Sequence, residues 1–562
     1  MKNTQLQEKR DIRAKLPYMS QVNLDALIPR EDLEIKEIKN LPAQSRDINI
    51  SFLQKGQLWV ESLRKPQFQR STWEWSPEKV YGLIKSFTDG DLIPAIILWK
   101  GEGNVFVIDG AHRLSALMAW VNDDYGYGAA SRAFFGDNME RGQIEKAKQV
   151  KKLIEENIGR YSDIVHAGAN QNKAPEEWVK IAQRINGKAI DLQWVPGDAS
   201  QAEESFFKIN EAASPLDATE KRLLRVRNKP MAIGARAIIR AGRGHKYWNK
   251  FSDDNQQKIE DIAYQIHEWL FKPELVTPVK TYDIPLAGKS YSDTTQELIL
   301  NVVNFSNNIK IVDPSKLKKK EDFPEFSVPD EATDGVETIH YLANTKKMLS
   351  NIVGVQSSSL GLHPAVYFYS HQGRYQITAF MAIMNLIKDY DNRNQLVKFT
   401  TVRKKFEEFL WKHKILVHQA TNTWGSGAKG YVSLTKAFDF IIQLFLDNKT
   451  EEQIISELDS HEDYNFFKPN VKPLNPKFKK DFSTESKSEV FLRDVDLYVR
   501  RCNICNGFLH INSIQIGHEK DKKDGGIGNA ANGRLEHPYC NSIKDKLIEI
   551  GFYKPQNLIG QS

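Results

Sequence analysis

The sequence predicts an α+β chain of several domains: an α/β unit near the N-terminus, a mostly α-helical middle and a small metal-stapled module near the C-terminus. Three observations lead there. The chain has 562 residues, too many for one compact core. Two apolar runs of strand length, 95–99 and 105–108, are flanked by stretches whose apolar residues recur at helical spacing. All three cysteines fall in one short stretch, as Cys502-Asn503-Ile504-Cys505 and His537-Pro538-Tyr539-Cys540.

Composition narrows the class. The formal net charge of +6 is mildly basic and permits nucleic-acid binding without demanding it. Basic residues concentrate in Lys316 to Lys320 and Lys468 to Lys480. No stretch approaches the roughly twenty apolar residues of a membrane span. The start, Met1-Lys2-Asn3-Thr4, lacks the apolar core of a signal peptide. The expectation is a cytoplasmic protein with no membrane partner, where thiols stay reduced and can take zinc.

Taken in order, residues 1–45 form a polar arm, poor in aromatics. Residues 46–230 form the α/β unit. Ser76 and Pro77 suit the cap and first turn of a helix running to about Thr88, and Gly90 suits its end. The strands follow, and Leu114, Leu117, Met118 and Trp120 mark the next helix face. Tyr125-Gly126-Tyr127-Gly128 reads as a mobile loop. A charged helix over 143–158 carries Ile144, Val150, Leu153, Ile154 and Ile158 as its apolar stripe. Residues 231–315 are a helical extension with Trp248, Trp269, Leu270 and Phe271 as core, and 316–334 a charged, proline-broken linker. The helical middle, 335–465, has helices over 336–353, 377–387, 402–413 and 434–446. His363, before a proline turn, reads as a packed histidine. A basic tether over 466–489 would let the terminal module, 490–562, swing.

Between the second strand and its helix lies Asp109-Gly110-Ala111-His112-Arg113. A strand end, a glycine and a helix start bring a carboxylate, free backbone N–H groups and a guanidinium to one corner, an arrangement suited to phosphate. Gln67-Phe68-Gln69-Arg70, Trp73-x-Trp75, Ile93-Pro94 and then Asp109-Gly110-x-His112-Arg113-Leu114 come in an order that resembles the DGQQR/DGQHR family. This ParB-like, sulfiredoxin-like domain stands at the N-terminus of GmrSD-type and SspE-type restriction proteins. Glu203-x-x-Phe206-Phe207-x-Ile209-Asn210 and Pro215-Leu216-x-x-x-Glu220 are similar to its second block. The resemblance implies a nucleotide-binding or NTP-hydrolysing sensor that controls a nuclease, with Gln69, Arg70, Asp109, Gly110, His112 and Arg113 at the phosphates. Ala111 replaces the family's usual glutamine, which bears on hydrolysis more than on binding.

At the other end, C-x-x-C and H-x-x-C are the ligand pairs that a tetrahedral structural Zn²⁺ takes: Cys502, Cys505, His537 and Cys540. An odd cysteine count and an x-x loop argue against disulfides. With His518, Gly525-Gly526, Asn532 and Asn541, the stretch resembles the zinc-stapled HNH endonucleases of ββα-metal fold. The resemblance implies His518 as general base, Asn532 as a brace for the loop, and Asn541 as a ligand of a catalytic Mg²⁺ or Mn²⁺. It also implies products with a 5′-phosphate and a 3′-hydroxyl. The family often carries an acidic metal ligand just before the catalytic histidine. Here that position is Gly517, and Glu519 and Asp521 are the carboxylates nearby in sequence.

Three functional readings stand. One is a regulated DNA endonuclease of a bacterial anti-phage or restriction system, acting on phage or modified DNA. The second is a non-catalytic DNA-binding protein with a degenerate HNH finger. The third is an NTPase whose HNH part only binds DNA. Oligomeric state and the need for an operon partner are left open.

Overall fold

The computed structural model describes residues 22–31, 45–66, 75–101, 103–136, 139, 141–213, 218–243, 245–290, 294–313, 322–469 and 481–555. The described residues divide into two compact units, one within 19–228 and 243–250, the other within 229–242 and 251–562. Gln69, Arg70 and both lysine-rich runs, apart from Lys468, lie outside the described residues.

The first unit holds a six-stranded mixed sheet. In chain order its strands are β1 (Arg30–Glu31), β2 (Asp47–Asn49), β3 (Leu63–Pro66), β4 (Ile96–Lys100), β5 (Val105–Asp109) and β6 (Ala189–Trp194). Across the sheet they run β1-β3-β5-β4-β6-β2. β3 lies parallel to β5, β4 antiparallel to β5 and parallel to β6. Both faces of the central strands are covered, which is why they read as near-continuous apolar runs. Leu98 and Val107 join the larger core with Val80, Ile84, Phe87, Leu114 and Leu117. Trp99, Phe106 and Ile108 pack instead with Ala202 and Phe206.

Local signals explain the helices on the first face. Helix α1 (Pro77–Asp89) is capped by Ser76, whose side chain accepts from Lys79 N–H, and ends at Gly90 with φ +91°. Helix α2 (Ala111–Val121) follows β5 directly. Helix α3 (Arg141–Asn157) buries Ala147, Val150 and Ile154, while Ile144 and Leu153 are half-buried. The loop at 125–128 is fixed by Asp124: its buried carboxylate accepts from the N–H groups of Gly126, Gly128 and Ser131 and from the Ser131 hydroxyl.

The second unit is helical around α4 (Pro230–Ile239), buried along its whole length and contacted by α5 (Asp253–Phe271), α6 (Thr295–Ser306) and α7 (Val336–Ser350). Leu270 and Phe271 are core; Trp269 is half-buried. Further on, α8 (Ile377–Asn392) and α9 (Leu396–Lys412) pack on α10 (Tyr431–Leu446). Helices over Ile415–Trp424 and Glu451–Ser460 complete the region.

Where a tether was expected, residues 470–480 are outside the described set, and Thr484–Leu492 is a helix capped by Ser483. The C-terminal segment is seated on the helical region. Its Phe508 N–H donates to Glu407 Oε2 (2.7 Å), its Asn512 Nδ2 to Lys272 O (2.8 Å), and its Ser513 Oγ accepts from Gly354 N–H (2.9 Å). It contains an antiparallel hairpin, β7 (Gln515–His518) with β8 (Gly533–Glu536), followed by α11 (Pro538–Ser542), which contacts β7. Among the described residues, no helix is long and apolar enough to cross a membrane.

Candidate metal centre

Cys502, Cys505, His537 and Cys540 converge. All four are buried, and their ligand atoms lie within 4.8 Å of one another. Backbone N–H groups of His537 and Gly507 point at Cys502 Sγ and Cys505 Sγ, both at 3.4 Å, as suits thiolate sulfur. His537 Nε2 lies 3.0 Å from Phe508 O, which makes Nε2 the protonated nitrogen and leaves Nδ1 toward the sulfurs, 3.4 Å from Cys505 Sγ. A Cys₃His set of this kind can hold a metal such as zinc.

The thiols are poised unequally. Burial penalises the Cys502 thiolate, yet hydrogen bonds from Cys505 and Cys540 and the His537 ring hold its pKa well below the ordinary thiol range. Burial and then Cys502 push Cys505 well up; Cys502, Cys505 and burial do the same to Cys540. Loading a metal therefore displaces the protons of Cys505 and Cys540.

A buried ion pair on α9 stands behind this cluster. Arg403 Nε donates to Glu407 Oε1 (2.7 Å), and both side chains are fully buried. Arg403 also reaches Leu360 O, Gly361 O (3.1 Å) and the vicinity of His537 Nδ1 (3.2 Å). Burial opposes its charge, but Glu407 and the sulfurs of Cys505 and Cys540 hold its pKa above the usual value. Nothing in the sequence singled this pair out. His363 is the packed histidine expected: fully buried against His510, rings 5.4 Å apart, and kept neutral by burial, His510 and nearby cations.

The remaining residues expected at this site lie on or beside the hairpin. His518, half-buried, ends β7; its Nε2 is buried without a hydrogen-bond partner among the described residues. Asn532 is buried and ties the intervening loop. Its Oδ1 accepts from Lys520 N–H (2.7 Å), and its Nδ2 donates to Lys520 O (3.0 Å) and Ile527 O (2.9 Å). Asn541, on α11, donates through Nδ2 to Gln515 Oε1 (3.1 Å), which leaves its carbonyl oxygen uncommitted by that bond. Glu519 pairs with Arg534 (3.1 Å), and Asp521 faces Lys544 (3.6 Å) and Lys523 (3.9 Å). Sequence reasoning passed over Glu536, at the end of β8. It is 0% exposed, neither carboxylate oxygen has a hydrogen-bond partner among the described residues, and burial pushes its carboxyl up to about 7.

In the first unit, the 109–113 corner joins its carboxylate to its guanidinium. Asp109 ends β5, Gly110 precedes α2, and Arg113 Nη2 donates to Asp109 Oδ2 (2.6 Å) and to Ala95 O (3.0 Å). The pair is only partly exposed, at 19% and 32%. His112 stacks on Trp75, ring centroids 5.5 Å apart. Gly110 has φ +91°, and a Cβ there would meet Ile96 Cδ1 at 2.7 Å. Gly110→Ala is therefore expected to cost about 1–2 kcal/mol, read as roughly tenfold faster hydrogen exchange in 105–121; unchanged exchange would show that the corner relaxes freely. A second buried ionic group, also unforeseen, links β1 and β3: Asp25 Oδ1 lies 2.9 Å from Arg30 Nη2 and 2.7 Å from Lys65 Nζ.

A strand-end corner on a mixed sheet and a buried Cys₃His cluster that could hold a metal ion give each of the two units a candidate site. Residues 49–226 match the family model of the GmrSD restriction endonuclease, N-terminal domain, so this stretch is similar to that domain. The match ends well before the Cys₃His segment. No curated protein and no solved structure matches the chain.

Proposed function

We propose that the chain is a metal-dependent DNA endonuclease of a restriction system, cutting through a zinc-stapled HNH module of ββα-metal type under the control of its N-terminal domain. The observation that carries this reading is the arrangement at 502–541: a Cys₃His knuckle, a hairpin whose first strand ends in His518, a loop pinned by Asn532, and a following helix that brings Asn541 against Gln515 of that hairpin, on the face opposite to His518 by strand register. The N-terminal family match supplies the restriction context.

Each residue has a separate task. Zn²⁺ on the Cys₃His set holds the strand ends and α11 in place, and His518 takes the proton of the attacking water. Its uncommitted Nε2 suits that role. Asn532 fixes the loop and thereby the strand end bearing His518. Asn541 offers its carbonyl oxygen to the divalent cation. A bound Mg²⁺ or Mn²⁺ supplies Lewis-acid stabilisation of the charge that builds on the scissile phosphate. Arg113 and His112 bind the phosphates of a nucleotide that licenses cutting, Asp109 orients the Arg113 guanidinium, and Gln69 and Arg70 are assigned by resemblance alone.

The test is cleavage of plasmid and of modified phage DNA by purified protein with Mg²⁺ or Mn²⁺, with and without each NTP. His518→Ala is expected to lower the cleavage rate by about 10²–10⁴-fold while zinc content stays at the wild-type level. The competing reading, a DNA-binding protein without nuclease activity, draws on Gly517. It requires salt-dependent binding and intact strands under every metal.

A further inference from the structure

The hairpin register decides which side chains can meet. Gln515 pairs with Glu536 and Gly517 with Arg534, so Gln515, Gly517 and Glu536 share one face of the hairpin and His518 takes the other. The Gln515 face is turned to α11, because Asn541 Nδ2 donates to Gln515 Oε1 at 3.1 Å. A side chain at 517 would therefore stand on the same face as the Gln515 side chain that Asn541 contacts. Gly517 has none, but a Cβ built there would lie 1.9 Å from Glu536 Oε2 and 2.8 Å from Oε1. The Glu536 carboxylate occupies the space that an acidic residue at 517 would fill.

We infer that Glu536, reaching across from β8, supplies the carboxylate ligand of the divalent cation together with Asn541, replacing the acid missing at 517. This rests on the nuclease reading above. The side chain is 0% exposed, and neither of its oxygens has a partner among the described residues, which for a buried carboxylate is costly unless a cation completes it. The other nearby carboxylates are engaged: Glu519 by Arg534, Asp521 by Lys544 and Lys523. Lys544, a cation whose charge acts on Glu536, directs its ammonium to His518 O. Two oxygen ligands on one side, with solvent and phosphate oxygens on the other, is the sparse protein ligation that Mg²⁺ and Mn²⁺ accept.

The test titrates the zinc-loaded full chain with Mn²⁺ and reads free Mn²⁺ by electron paramagnetic resonance. Glu536→Gln keeps the shape and removes the charge; it is expected to weaken Mn²⁺ binding by at least the roughly 10–100-fold that outer-shell partners of a metal cost. Glu536→Ala should do the same, and adding Gly517→Asp to it should restore binding, because the carboxylate returns to the same space from the facing strand. His518→Ala should bind Mn²⁺ as the wild type does. Zinc content checks that the neighbouring His537 is undisturbed. No Mn²⁺ binding by the wild type, unchanged affinity in Glu536→Gln, or a loss in Glu536→Ala that Gly517→Asp does not recover would overturn the inference. Mn²⁺ binding through Glu536 with DNA left uncut would instead sink the nuclease reading and leave the ligand assignment standing.

Discussion

Removing zinc, by chelation or by Cys540→Ser, is expected to unfold the segment from Arg501 to Tyr553 and abolish cleavage while the N-terminal unit stays folded. The reason is the make-up of the local core. Its fully buried members are Cys502, Ile504, Cys505, Leu509, Cys540, Leu547 and Tyr553, so three of seven are the thiols themselves. Strands of four residues and a helix of five add little cooperativity of their own. A structural zinc contributes an apparent ~10–16 kcal/mol in small modules, the largest single term available here. Without the ion, Cys505 and Cys540 return to the protonated state that burial and Cys502 favour, and the knuckle loses its centre. Limited proteolysis with mass spectrometry checks this. Chelated protein should be cut within 501–553 and stay protected across β3 to β6. Equal protection with and without the ion would remove zinc from its structural role.

What the sequence disclosed follows from how local each signal is. The Cys₃His cluster could be read because each pair of its members is close in sequence, and α1 because Ser76-Pro77 and Gly90 bracket it. The two central strands showed as apolar runs because both faces are covered. By contrast, β6 alternates buried and exposed residues over six positions and was not separated from the surrounding helices. Helix α9 starts at Leu396 where 402 was expected, since Leu396 and Phe399 extend the buried face by another turn. Glu536 and the Arg403–Glu407 pair were invisible for a common reason. A charged residue on a strand, or an Arg and a Glu four apart on a helix, has the appearance of ordinary solvated surface, and only packing from distant segments makes it buried. The acid missing at 517 was visible; the buried carboxylate of Glu536 on the facing strand was not.

Breaking the Arg403–Glu407 pair should separate a buried charge from its partner and loosen the C-terminal segment from the helices that carry it. Arg403→Met leaves Glu407 buried, still accepting from Tyr367 Oη (2.9 Å) and Phe508 N–H (2.7 Å), with no cation beside it. Removing one member of a buried pair costs about 3–5 kcal/mol, far above the few tenths of a kcal/mol of an exposed pair at the same spacing. The carbonyls of Leu360 and Gly361 lose their donor as well. Zinc bound by three thiolates and one neutral imidazole carries a net negative charge, which Arg403 now faces, so the variant should also bind zinc more weakly, by roughly 10–100-fold as for other outer-shell partners. Arg403→Met with Glu407→Leu distinguishes charge from packing. It removes the orphaned carboxylate and should regain part of the lost stability, but not the zinc affinity, because the cation is still missing. Denaturant unfolding of each variant and competition for zinc with a chromogenic chelator give the two readouts. A single variant as stable and as zinc-avid as the wild type would mean that the pair neither anchors the knuckle nor tunes its metal.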